Sequence, residues 1–216
     1  MVGSPPTGAG ERRDKTMLGR MVAVLAVVLG ALALAPSARA GEATDVVRQK
    51  QTALFDIVAK PKSAARQEAL RKLFDEMLDY QRFARDSLGA EWDKLAEEQR
   101  ARFTALLTDL VRNNYKRNLT KMLDFNIEYV GEAAKNGGTV VQTRAKHKTK
   151  TKEPLIEVDF VLNKQGRWQI VDIVTEKASL VKTYRSQFVR ILKKDGFEKL
   201  VEKMKSKLEQ QEKEEA

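Results

Sequence analysis

The 216-residue chain contains no cysteine and a single histidine, His147. The first absence excludes a disulfide, a thiolate nucleophile and the lipidated cysteine of a lipoprotein. With one histidine besides, any metal site would need oxygen ligands alone, and no acidic loop has the spacing for one. A glycine-rich phosphate loop is missing too. His147 lies within Arg144-Ala145-Lys146-His147-Lys148 and reads as a solvated residue at a strand end or hairpin loop. The neighbouring carboxylates Glu97-Glu98 point apart on a helix and read as a solvated face. For acid/base work the best pairing on offer is Asp159 or Asp172 with Tyr184, and it is a poor one. The chain is therefore expected to be no enzyme and to hold no metal or cofactor.

Positive charge is in excess. Lys and Arg number 40 against 30 Asp and Glu, a net of +10. Part of it sits at the start, where Arg12, Arg13, Lys15 and Arg20 precede an apolar run from Met21 to Ala35. Ala38-Arg39-Ala40 then offers the small residues that a signal peptidase reads, so residues 1–40 are expected to be a cleaved export signal. The run is shorter than the roughly 20 apolar residues of a membrane span, and no stable membrane insertion is expected. Residues 1–40 carry +3, which leaves +7 on the mature chain. Export to a periplasm would remove nucleic acid as a partner. Anionic headgroups, a lipid phosphate or an acidic protein surface remain.

The mature chain reads as helices, then strands, then helices, in a single domain over 41–208. Helical spacing of apolar residues predicts helices over 44–59, 63–78, 81–88, 97–122, 179–194 and 197–208. Ser63 is a candidate N-cap, and Gly89 a candidate C-cap. The longest helix carries Phe103, Leu106, Leu107, Leu110, Val111, Tyr115 and Leu119 at helical spacing. Strands are predicted over 125–130, 139–148, 155–163 and 167–174, with Asn136-Gly137-Gly138 and Gln165-Gly166 as turns. In the third, Ile156, Val158, Phe160 and Leu162 alternate with Glu157, Asp159 and Val161. The fourth is apolar on nearly both faces, with Trp168, Ile170, Asp172 and Val174 on one side. The expected fold class is α+β: a twisted antiparallel four-stranded sheet on a cluster of about six helices. The charged stretch 209–216 is expected to be a disordered tail.

The stretch Trp168 to Leu192 is the most distinctive. It gives Trp168, then Asp172-Ile173, Glu176-Lys177, Ser179-Leu180-Val181 and Tyr184-Arg185-Ser186-Gln187-Phe188. This resembles the signature of the MlaC family, the periplasmic phospholipid carriers also called toluene-tolerance auxiliary proteins. Lys177 stands where that pattern has Gly and Thr183 where it has Asn, so a positive φ at Lys177 would be strained. Asp79-Tyr80, Leu88-Gly89, Trp92, Phe103 and Tyr115 follow the family order as well, and the resemblance covers roughly Val46 to Val201.

The resemblance implies a function that composition does not. Apolar stripes are by themselves more often core than ligand box. Members of the family hold acyl chains in a pocket between sheet and helices, which makes Phe103, Leu107, Leu110, Ile156, Val158, Phe160, Tyr184 and Phe188 the expected lipid-binding residues. Arg185 is the candidate contact to a headgroup phosphate or to Glu176. Lys146, Lys148, Lys150 and Lys152 form a basic loop suited to docking a partner or an anionic surface. The implied partners are phospholipid, an inner-membrane MCE-type ABC transporter complex and an outer-membrane lipoprotein complex, in a system that maintains outer-membrane lipid asymmetry. The alternative is a periplasmic protein-binding or chaperone-like module without a lipid cavity.

Overall fold

Ser63 and Asp79 set where two of the first three helices begin. The computed structural model describes residues 41–135, 138–150 and 152–213, and of 115–120 the backbone alone. The expected export signal (1–40), the Asn136-Gly137 part of the expected turn, the side chains of Tyr115 and Leu119, and residues 214–216 lie outside the described residues.

Helix α1 (Glu42–Val58) starts after Gly41, which has no side chain to cap it. A strand residue does so instead: the Glu132 carboxylate accepts from the Thr44 amide and hydroxyl, each at 2.8 Å. Helix α2 (Ala64–Met77) is capped by Ser63, whose hydroxyl accepts from the Arg66 amide at 3.1 Å. Helix α3 (Tyr80–Leu88) is capped by Asp79 through the Arg82 amide at 2.9 Å. It ends at Gly89, φ +56°, ψ −130°, a conformation that only glycine adopts cheaply. A 3₁₀ turn (Gly89–Lys94) leads into the long helix α4 (Glu97–Met122), which packs against α3 and α5. Helix α5 (Leu180–Lys213) is broken at Gly196, φ +83°, near where the sequence predicts one helix to give way to another.

The sheet is antiparallel throughout, in the order β1-β2-β3-β4-β5. Its strands are β1 (Phe125–Lys135), β2 (Gly138–His147), β3 (Ile156–Gln165), β4 (Arg167–Thr175) and β5 (Ala178–Ser179). Three features differ from the sequence expectation. The first strand runs five residues beyond Val130, because a bulge there lets pairing resume at Gly131. A second bulge at Val171 inverts the parity of β4: Ile170 pairs with Leu162, but Ile173 pairs with Phe160. Ile170 and Ile173 therefore share the inner face, and Asp172 and Val174 turn outward instead of sharing a side with Ile170. The fifth strand arises because Glu176-Lys177 closes a two-residue hairpin.

Helices cover one face. Helix α1 lies against β1 and β2, while α2, α3 and α5 lie against β4. The free edge of β4 is occupied at Ile170 by a parallel bridge to Leu78, and the Ile170 carbonyl accepts from the Asp79 amide at 3.0 Å. One contiguous apolar cluster runs from α1 to the far half of α5. The expected frayed tail is corrected in part: residues 209–213 continue the helix, and Gln211 is buried.

Candidate functional site

Pairing register arranges the inner face in transverse rows. Ile127, Ala145 and Ile156 make one; Tyr129, Thr143, Val158 and Thr175 the next; then Glu132, Val141, Phe160 and Ile173. Beyond these lie Leu162 and Ile170. Burial is graded along the rows. Val141, Val158 and Leu162 are at most 2% exposed, whereas Phe125, Ile127 and Ile156 are half-buried. The buried end is where α1 begins, held by Thr44–Glu132 and by Lys164, which pairs with Glu42 at 2.7 Å. At the other end the face is less covered, beside the β2–β3 loop.

That loop carries Lys148, Lys150 and Lys152, and Lys146 stands just before it on β2, all four exposed. Lys150 has a partner in Glu153 at 3.4 Å. His147 stands at the end of β2, as the sequence reading placed it; its ring packs edge-on to Phe125 and its Nδ1 accepts from the Thr149 and Lys150 amides at 3.2 and 3.1 Å. It shapes the lysine loop rather than standing free in solvent.

The expected lipid-binding residues fall into two groups. Ile156, Val158 and Phe160 lie together on the inner face of β3, as alternation predicts. Phe103 and Phe188 instead meet edge to face at 5.3 Å between α4 and α5, and Phe188 stacks on Tyr184 at 5.2 Å. Tyr184 also meets Phe83 of α3. Burial pushes the Tyr184 phenol up to about 12. Leu107 and Leu110 are buried on α4.

The signature residues hold the corner where α5 leaves the sheet. Asp172 accepts from the Ile173 amide at 2.9 Å, the Ser179 hydroxyl at 2.6 Å and the Val181 amide at 3.0 Å. Ser179 accepts from the Lys182 amide, completing the cap of α5. Burial nevertheless raises the Asp172 carboxyl above its ordinary value. Glu176 and Lys177 have φ of +49° and +64°, so the strain expected at Lys177 is present. Arg185 does not reach Glu176. Its guanidinium donates to the Asp86 carbonyl at the end of α3, with Nε at 2.7 Å, and lies against Gly89. Glu176 accepts instead from the Glu157 amide at 2.7 Å. The acid/base pairing considered from sequence is not assembled: Asp172 is engaged as a cap, Asp159 faces outward beside Gln142, and Tyr184 is stacked.

A cleft of about 510 Å³ lies outside this region, along α5 and the 3₁₀ turn, lined in part by Leu88, Glu91, Lys182, Arg185 and Arg190. Among the described residues no helix is long and apolar enough to cross a membrane.

A family model described as MlaC protein matches residues 48–206. The chain belongs to the MlaC family. Its fold is similar to that of a phospholipid-binding protein from Ralstonia solanacearum, solved in complex with a phospholipid. The TM-score is 0.66 at 20% identity, over 79% of this chain and 99% of that one. None of the curated proteins matches the chain. Against the MlaC signature, three of the quoted motifs have clear structural tasks here: Asp79 and Asp172 cap helices, and Leu88-Gly89 receives Arg185. Sequence reasoning missed Gln51, Tyr129, Thr143 and Thr175, polar residues buried on or beside the inner face. The one available signal was a threonine at the same parity as Val141 and Ala145 in β2.

Proposed function

We propose that the chain is a periplasmic phospholipid carrier, moving lipid between an outer-membrane lipoprotein complex and an inner-membrane MCE-type ABC transporter complex. The observation that carries this reading is the inner face of the sheet. It is apolar over Val141, Val158, Phe160, Leu162, Ile170 and Ile173, in a chain of a family with a phospholipid-bound structural neighbour. Each methylene withdrawn from a membrane costs about 0.8 kcal/mol, so a two-chain lipid faces a barrier on the order of 20 kcal/mol in water. A carrier lowers it with a dry surface and needs no chemical step, so no enzyme activity is assigned. Because Val158, Phe160 and Phe188 are already packed, chains reach this face only if helices and sheet move apart. The exposed lysines 146, 148, 150 and 152 beside the less covered end suit docking of an acidic partner surface.

The test is native mass spectrometry of the chain exported to a bacterial periplasm and purified without detergent, followed by solvent extraction. The expected result is a stoichiometric adduct that extracts as phospholipid. A clean apo mass with no uptake from added phospholipid vesicles overturns the reading and leaves a protein-binding module in its place.

A further inference from the structure

Among the described residues, three buried donor groups on the inner face and on the helix that covers it have no acceptor. They are the Tyr129 hydroxyl, the Thr175 hydroxyl and the Gln51 side-chain amide nitrogen. Thr175 and Gln51 are each 8% exposed. Tyr129 and Thr175 end the same transverse row, Tyr129–Thr143–Val158–Thr175. Between them Thr143 is satisfied, donating to the Val158 carbonyl at 2.6 Å. Helix α1 meets the row at Arg48, whose guanidinium lies 4.2 Å from the centre of the Tyr129 ring. Gln51 follows less than a turn later on that helix.

Buried donors without partners are uncommon and costly. Phenylalanine and valine would pack these places without the penalty. We infer that this row, with Gln51, fixes the depth at which the ester carbonyls of a bound phospholipid sit. The inference rests on the phospholipid-binding reading above. The occupant must bring uncharged acceptors to an otherwise apolar face, which an ester carbonyl does. A phosphate at this depth would need a buried cation, and the Arg48 side chain is exposed. The row spans three strand spacings, about 14 Å, enough for more than one ester group. Acyl chains then run toward Val141, Phe160 and Leu162, and the headgroup leaves past Ile127 and Ile156, the half-buried end.

The probes are two synthetic phosphatidylglycerols of equal chain length, one with ester-linked and one with ether-linked chains, offered together in mixed vesicles. Native mass spectrometry reads the ratio of the two adducts. The wild-type chain is expected to favour the diester by about tenfold. Tyr129→Phe combined with Thr175→Val should bring the ratio close to one, with diether uptake unchanged. Melting of the unliganded double variant should stay level or rise, since it loses two orphan hydroxyls. A wild-type ratio near one overturns the inference and leaves lipid binding standing. A ratio that survives the double substitution also overturns it, as does a lowered melting point, which would mean the hydroxyls serve the core. Uptake of neither lipid overturns the inference and the carrier reading together.

Discussion

Two parts of the sheet bury polar side chains and treat them in opposite ways. At the corner where α5 departs, Asp172 takes donors from Ile173, Ser179 and Val181, and Ser179 takes one from Lys182. Across the inner face, Tyr129 and Thr175 keep buried hydroxyls that meet no partner. The corner is where the sequence is most recognisable, and its polar groups are consumed in holding a helix to a strand. The row is made of residues that no motif marks. A satisfied polar network specifies a structure, whereas orphaned donors on an apolar face hold hydrogen-bonding capacity in reserve. On the inference drawn above, architecture and ligand contact fall to different residues, and substitutions should separate them.

The largest effect is expected from Asp172→Ala. It removes the acceptor of three donors at once and uncaps α5, and should cost about 3 kcal/mol of stability in urea unfolding. Loss of the buried carboxylate returns part of its burial penalty, which keeps the figure from being larger. In the folded fraction the diester-to-diether ratio should be that of the wild type. A stable Asp172→Ala chain with an altered ratio would break the comparison, because the corner would then be touching ligand.

Gly89→Ala comes next. A side chain at φ +56°, ψ −130° is strained, and its Cβ would stand 3.2 Å from the Arg185 Nε. A loss of about 2 kcal/mol is expected from thermal unfolding. Arg185→Ala should cost about 1 kcal/mol, since it removes an exposed charge-assisted bond to the end of α3. Combined, the two should lose less than their sum, because without the Arg185 side chain the new methyl has space. Full additivity would show that Gly89 and Arg185 act independently.

How far the sequence could be read follows the range of the interactions involved. Ser63 as a cap, Gly89 as a helix end and the alternation from Ile156 to Leu162 are local, and all stand in the structure. Alternation failed in β4 because one bulged residue, Val171, swaps the faces of everything after it. A bulge is decided by the partner strand, so a single run of sequence carries no sign of it. Arg185 was expected to meet a headgroup phosphate or Glu176, but its acceptor here is the Asp86 carbonyl, brought in by the packing of α3 on α5. Glu132 gave no hint that it caps a helix 88 positions earlier. The candidate site divides in the same way. Val158 and Phe160 were visible as apolar positions of one strand, while the row from Tyr129 to Thr175 exists only once four strands are in register.

The smallest effect, and a gain rather than a loss, is expected at Lys177. It occupies the second position of the Glu176-Lys177 hairpin turn, with φ +64°, next to Glu176 at φ +49°. Positive φ at both central positions is the turn whose twist matches the flanking strands, and glycine takes it without the Cβ clash that lysine suffers. Lys177→Gly relieves that clash but gives the unfolded chain more freedom, so the net gain should be only about 0.5–1 kcal/mol. For a chain of this size that is a rise in melting temperature of roughly 1–4 °C. The Glu176 carboxylate bond to the Glu157 amide does not involve Lys177 and should persist. The diester preference should not move, because the turn lies in the satisfied corner. A rise in stability accompanied by slower lipid uptake would instead tie the strain at Lys177 to the opening of the sheet, and would place one function-bearing residue inside the motif.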